Sequence, residues 1–333
     1  MLYIDIIMKK NILILGVSGN VSQGIVMALR NNKICINIVG ACVFQDSIGK
    51  YLVDKFFVSP YADAPDFIPW LIRICNEEKI DFIFSGVEEN IKVISEYSDY
   101  IKRSTPAKFV VASPEQLRIG NDKYLTAQWL KAQGLNYPRY AMLDNSNELE
   151  KLMSDVAFPV IGKPTGGKGS HGVQMLESME DLELLRKKCT GVPYVIQELL
   201  GDECDEYTVA TYRTQYNVFA GMIVMQRQLK NGTTVLASTV HNEIIFAECR
   251  RISDAFNAVG PLNIQLRMHK GVPTCFELNV RFSGTVPMRD LLGFKDAFAC
   301  LREYCFEDGK VEKYLEPRDG KVIRYESVML VSS

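Results

Sequence analysis

The segment Asn11-Ile-Leu-Ile-Leu-Gly16 constrains the fold more than any other part of this chain. It is short, wholly apolar and closed by glycine, which fits a strand buried on both faces. Residues 20–31 follow with Val21, Ile25, Ala28 and Leu29 spaced for one helical face. Strand-like runs recur at 35–42, 56–59, 81–85 and 108–112, and helix-like stretches at 65–77 and 88–102 separate the later ones. That alternation predicts an open parallel sheet with helices on both faces, an α/β unit of Rossmann-like type.

The rhythm changes near residue 114. Ser113-Pro114-Glu115 reads as a helix start, with serine as N-cap and proline at the first helical position. A second helix is expected over 122–133, stopping at Gly134. Longer alternating strands follow at 158–163, 171–176, 193–199, 206–213, 217–228 and 233–240, with helices near 178–188 and 243–258 and a hairpin at 261–280. This second half is α+β with antiparallel sheet. A length of 333 residues accommodates both units at ~150 residues each.

Charge excludes one class of partner. Lys+Arg total 38 and Asp+Glu 40, so no basic excess points to nucleic acid. Nine scattered cysteines without a Cys-x-x-Cys pair, and three histidines not spaced with them, point to reduced thiols and no structural zinc. No apolar run reaches the ~18 residues of a membrane span. The N-terminus carries its charge after its apolar stretch, unlike a signal peptide, and Met8 could serve as the start. A cytoplasmic protein is expected.

Four stretches carry chemistry. Gly16-Val-Ser-Gly19-Asn-Val-Ser-Gln-Gly24 joins the first strand to the first helix but lacks the G-x-G-x-x-G spacing and its distal acid, so a tight turn is favoured over dinucleotide binding. Phe158-Pro-Val-Ile-Gly-Lys163-Pro-Thr-Gly-Gly-Lys168-Gly-Ser170-His-Gly172 narrowly fails as a Walker A loop, because Gly169 stands where Ser or Thr should reach magnesium. With five glycines in 162–172, it suits a loop that folds over phosphates between two strands, with Lys163 as a point charge. Gln197-Glu198-Leu-Leu200, followed by Glu206-Tyr-Thr-Val, could offer backbone groups to a flat base and a carboxylate to ribose.

The fourth stretch is the most specific. In Cys275-Phe-Glu277-Leu-Asn279-Val-Arg281, strict alternation puts Phe276, Leu278 and Val280 on one face and Glu277, Asn279 and Arg281 on the other. Asn263, Gln265 and Arg267 repeat the pattern on the preceding strand. A hairpin symmetric about Gly271 sets Gln265 opposite Glu277 and Asn263 opposite Asn279. Carboxylate and amide oxygens suit Mg²⁺, and the guanidinium suits phosphate.

Taken in order, these pieces resemble the ATP-grasp superfamily, in particular its carbamoyl-phosphate-synthase-like branch. The resemblance implies three parts: a Rossmann-like domain over 1–113, an ATP-grasp small subdomain with its glycine-rich lid over 114–192, and a C-terminal subdomain over 193–333 carrying the magnesium and phosphate strands. It assigns ATP contacts to Lys123, Lys163, Gly166, Gly167, Lys168, Gly169, Ser170, His171, Gly172, Glu198, Leu200 and Glu206. Metal ligation falls to Gln265, Glu277 and Asn279, and phosphoryl neutralisation to Lys163 and Arg281. A substrate would enter beside Glu88, Ser283 and Gly284. Glu88 and Glu89 could instead simply cap the helix they begin. The implied activity is a Mg²⁺- or Mn²⁺-dependent, ATP-driven ligation of a small-molecule carboxylate to an amine, with a homodimer left open. Two alternatives stand beside it: a nucleotide-binding protein without ligase activity, and a nicotinamide-dependent oxidoreductase using the first glycine turn.

Overall fold

The computed structural model describes residues 9–167, 172–189, 191–201 and 205–331. Five parallel strands open the chain: β1 (Lys10–Leu15), β2 (Ile36–Cys42), β3 (Lys55–Val58), β4 (Phe82–Ser85) and β5 (Lys108–Phe109), in the order β3-β2-β1-β4-β5. The helices between them are α1 (Asn20–Asn31), α2 (Gly49–Leu52), α3 (Phe67–Glu77), α4 (Glu88–Glu96) and α5 (Ser98–Ser104). The helix expected over 88–102 is therefore two, broken at Tyr97, and the strand expected over 108–112 shrinks to two residues. The order reverses between β1 and β4, the crevice where open α/β sheets take ligands.

Close packing explains the glycines of the first turn. A Cβ on Gly16 would lie 2.2 Å from Val87 Cγ2, and one on Gly24 2.7 Å from Pro287 Cδ. Gly16 also has φ +66, which only glycine adopts cheaply. These glycines let the strand–helix turn seat against its neighbours, so their spacing serves packing.

The linking helices are α6 (Pro114–Asn121) and α7 (Lys123–Ala132). Ser113 caps α6 in a full capping box with Gln116, and Asp122 caps α7 by accepting from Leu125 N. Then come β6 (Tyr140–Met142), α8 (Ser146–Asp155), β7 (Val160–Pro164), β8 (Gln174–Leu176), α9 (Met179–Lys188) and β9 (Tyr194–Glu198). Their strands form an antiparallel sheet in the order β6-β9-β7-β8. Because β9 pairs with both β6 and β7, this sheet runs past residue 192 to Glu198.

The larger sheet is six-stranded, β14-β13-β10-β11-β12-β15. Its strands are β10 (Glu206–Arg213), β11 (Phe219–Lys230), β12 (Thr233–Thr239), β13 (Gly260–His269), β14 (Val272–Asn279) and β15 (Lys321–Ile323), with α10 (Glu243–Phe256), α11 (Val286–Leu291) and α12 (Asp296–Phe306) between them. One continuous core joins Ile12, Ile14, Phe82 and Phe84 of the first sheet to Tyr212, Ile223 and Met225 of the large one. The small sheet has its own core, built on Leu149, Val160, Leu182 and Ile196. Among the described residues no helix is long and apolar enough to cross a membrane.

Candidate active site

A cleft of about 650 Å³ separates the small sheet from the large one. Its small-sheet wall carries Ile161, Lys163, Met175 and Gln197, and its large-sheet wall Arg227, Gln265, Phe276 and Glu277. The segment Glu198–Gly201, between β9 and β10, lines one end. Apolar side chains from both walls make a slot fit for a flat ring, while lysines and arginines collect beside it.

Lys163 is the most perturbed of these groups. It is 7% exposed, and burial pushes its ammonium down to about 8 against the pull of Glu277. Its Nζ stands 5.3 Å from the Phe276 ring centroid. Lys123, at the first turn of α7, reaches the glycine loop, donating from Nζ to the Gly167 carbonyl at 3.0 Å. Gly166 and Gly167 enter that loop; Gly172 leaves it at φ +75 and accepts a hydrogen bond from Tyr194. Lys168, Gly169, Ser170 and His171 lie outside the described residues.

The β13–β14 hairpin keeps the expected pairing, Asn263 with Asn279 and Gln265 with Glu277, by a different route. Its turn is the pair Lys270-Gly271, both at positive φ, so the register near the turn is offset by one. A bulge between Gln265 and Leu266 on the β13 side, where Phe276 is the extra residue on β14, restores it. The strict alternation expected of this strand fails there. Phe276 faces the cleft together with Glu277, while Cys275, Leu278 and Val280 enter the core.

From the cleft a polar run leads towards the first sheet. Asn279 Nδ2 donates to Glu277 Oε1 at 2.9 Å, and Arg281 Nη2 donates to Asn279 Oδ1 at 3.2 Å. Arg281 then pairs with Glu88 at the start of α4, beside the β1/β4 crevice. Glu88 thus spends its carboxylate on Arg281 as well as opening its helix.

Six of the candidates make contacts within the protein. Glu206 is clamped by two arginines: Arg227 donates to Oε1 at 2.6 Å and Arg267 to Oε2 at 2.7 Å. Burial would raise this carboxyl, but the two guanidiniums hold it below the ordinary glutamate value. Gln265 accepts from the same Arg227 at 2.7 Å. Ser283 is buried and accepts from Arg289 Nη1 at 2.8 Å, an arginine itself locked to Asp296. Glu198 turns its Oε1 to the Arg139 amide at 2.7 Å, and buried Leu200 gives its carbonyl to Arg267. Gly284 offers its carbonyl to Arg324 Nη2, whose Nη1 reaches Asn20 in the first glycine turn.

The oxygen donors suit magnesium carried by phosphates, not a free-standing metal site. Among the described residues no three His, Cys, Asp or Glu side chains gather as ligands. One carboxylate and neighbouring amides are instead what Mg²⁺ takes when phosphates and water complete its shell. Sequence reasoning missed Phe276 and Arg227 as cleft residues, and read Gln197 only as part of the stretch offered to a flat base. Only the strand phase of Arg227 hinted at it.

Comparison with known proteins agrees with this geometry. The family described as "ATP-grasp in the biosynthetic pathway with Ter operon" matches residues 192–326. That match, to an ATP-grasp family, covers the C-terminal part of the chain. An N5-carboxyaminoimidazole ribonucleotide synthase of Mycobacterium bovis is 28% identical over 167 residues, 47% of this chain and 39% of that protein. The carbamoyl phosphate synthase large chain of Helicobacter pylori is 25% identical over 257 residues, 71% of this chain and 23% of its own length. The chain therefore spans well under half of either relative. An N5-carboxyaminoimidazole ribonucleotide synthetase solved with ADP superposes with a TM-score of 0.71 at 18% identity, covering 89% of this chain and 77% of that one.

Proposed function

We propose that the protein is an ATP- and Mg²⁺-dependent carboxylate–amine ligase. The observation that carries this reading is the run Glu277–Asn279–Arg281, which starts in a lysine-lined cleft and ends at the crevice of the first sheet. It would join a nucleotide site to a substrate site.

In this reading a substrate carboxylate oxygen attacks the γ-phosphorus of ATP and the bond to the β–γ bridging oxygen breaks, giving an acyl phosphate and ADP. An amine then attacks the acyl carbon, phosphate leaves, and the amine loses a proton. The obstacle is repulsion between a carboxylate and a polyanion, so catalysis is mainly positioning and charge neutralisation. Lys123 and Lys163 would hold the phosphates from the small-sheet side. Arg281, released from Glu88, would meet the transferring group. Glu277 and Asn279, with Gln265 behind them, would hold Mg²⁺, which when bound neutralises β- and γ-oxygens. Glu88, freed in turn, could receive a cationic amine. Glu206 serves in this scheme as the anchor for Arg227 and Arg267.

The test is ADP release across pairs of small carboxylates and amines, followed by Glu277→Gln with the productive pair. That variant should lose ADP formation while its stability stays within about 1 kcal/mol of wild type, as for a residue outside the core. Normal turnover in a well-folded Glu277→Gln protein across a magnesium titration would remove the reading.

A further inference from the structure

Every nitrogen of the Arg281 guanidinium has an acceptor. Nε and Nη2 both donate to the same oxygen of Glu88, Nη2 also to Asn279 Oδ1 at 3.2 Å, and Nη1 to the Phe282 carbonyl at 2.9 Å. The ion pair is shielded, with side chains 11% exposed at Arg281 and 20% at Glu88. Glu88 begins α4 just after β4, at the carboxyl edge of the first sheet, whereas Arg281 follows β14, which comes from the cleft. One pair of charges therefore spans the two binding regions of the proposed scheme.

That placement sets up a competition with a definite sign. A γ-phosphate that draws Arg281 away takes a charge partner from Glu88 where water reaches only partly. A cation already seated on Glu88 removes that cost. The converse also holds, because a γ-phosphate on Arg281 leaves the carboxylate ready for a cation. Binding at the two ends is therefore positively coupled, and by reciprocity each ligand tightens the other by the same factor, typically about 5–150-fold. A neutral or anionic group beside Glu88 gains nothing from this linkage.

We propose that Glu88 is a specificity residue that couples the two substrates: a positively charged group on the substrate takes over its carboxylate and so releases Arg281 to the γ-phosphate. This rests on the cleft being the ATP site, and adds that phosphoryl transfer waits for a cationic substrate. A carboxylate that only repelled a polyanion through space would not need Arg281, and the following measurements separate the two.

Calorimetry on the full chain gives affinities for Mg-AMP-PNP, which carries a γ-phosphate, and Mg-ADP, which does not; neither needs a ligase substrate. Glu88→Gln stands in for a carboxylate neutralised by a bound cation, and should raise the ratio of AMP-PNP affinity to ADP affinity about fivefold or more over wild type. Glu88→Ala removes the same charge with a strong helix former, which keeps the test open if the glutamine variant misfolds. Either substitution made in an Arg281→Met background should leave the ratio within about twofold of Arg281→Met alone, the double-mutant signature of a contact between the two side chains. An unchanged ratio in the folded Glu88 variants, or a rise of the same size without Arg281, would overturn the coupling while leaving the ATP site standing. Absence of binding by either nucleotide to wild type and variants would overturn both.

Discussion

Replacing Lys163 by methionine should stabilise the protein at neutral pH and abolish nucleotide binding. Burial pushes this lysine from 10.5 down to about 8, with Glu277 pulling the other way. At 1.36 kcal/mol per pH unit, keeping the buried ammonium charged costs roughly 3 kcal/mol. The sign follows from proton counting. Between about pH 8 and 10.5 the unfolded chain holds a proton that the folded chain has lost, so stability rises with pH across that window. Below it the cost is fully present, and above it the cost is gone. Methionine keeps the unbranched stem near Phe276 and carries no charge. Lys163→Met should therefore gain ~1–3 kcal/mol at pH 7, allowing for imperfect refilling of the site, and the gain should shrink towards zero by pH 10.5. Urea denaturation of variant and wild type at pH 7 and pH 10 gives the difference directly, because other titrating groups are common to both. Calorimetry with Mg-ATP on the same samples should show binding lost in the variant. In wild type near pH 8, where about half the lysines are neutral, binding should take up a proton fraction as phosphate restores the charge. A Lys163→Met protein that is destabilised at pH 7, or whose gain does not vary with pH, would refute the account of this residue.

Glu206→Gln should cost ~3–5 kcal/mol in chemical denaturation, because it leaves Arg227 and Arg267 facing each other without the buried carboxylate between them. Its contribution in wild type should persist above the ordinary glutamate range and be lost as pH falls through the lowered folded value; wild-type-like stability of the variant would refute the clamp. Leu278→Ala, next to Glu277 but 1% exposed in the core, should cost ~2–5 kcal/mol while the folded fraction keeps its ADP formation. Loss of activity beyond loss of fold would mean the two faces of β14 are not separable.

Much of this was readable from the sequence, because periodicity and capping act locally. The apolar run ending at Gly16, the Ser113 cap with Pro114, and the pairing of Gln265 with Glu277 each depend on a few neighbouring residues. Other features needed the third dimension. The bulge that turns Phe276 into the cleft is a mismatch between a two-residue turn and the far-end register, invisible to alternation alone. The role of Glu206 depends on Arg227 and Arg267, which reach it from strands on either side of β10. The hydrogen bond that Ser283 accepts from Arg289, itself paired with Asp296, likewise comes from the following helices and leaves no local mark. The stretch β6–α8 went unread, although Asn145 followed by Glu148, Leu149 and Leu152 is a capped amphipathic start.

The same networks rank the cations that could receive an anion. In the structure Arg227, Arg267 and Arg281 each already pair with a carboxylate, so an incoming phosphate would compete with that partner for the charge. Glu88, the partner of Arg281, has its side chain 20% exposed and stands on the other domain, where water can take over its hydrogen bonds. Glu206, the partner of Arg227 and Arg267, is 8% exposed and lies in a strand flanked by theirs. Stripping its guanidiniums would strand a carboxylate where water hardly reaches, at a cost of several kcal/mol. Exchange is cheap at Arg281 and expensive at the other two. In the proposed scheme that difference favours Arg281 for the phosphoryl-facing role, while Arg227 and Arg267 tie β10 to β11 and β13 through Glu206.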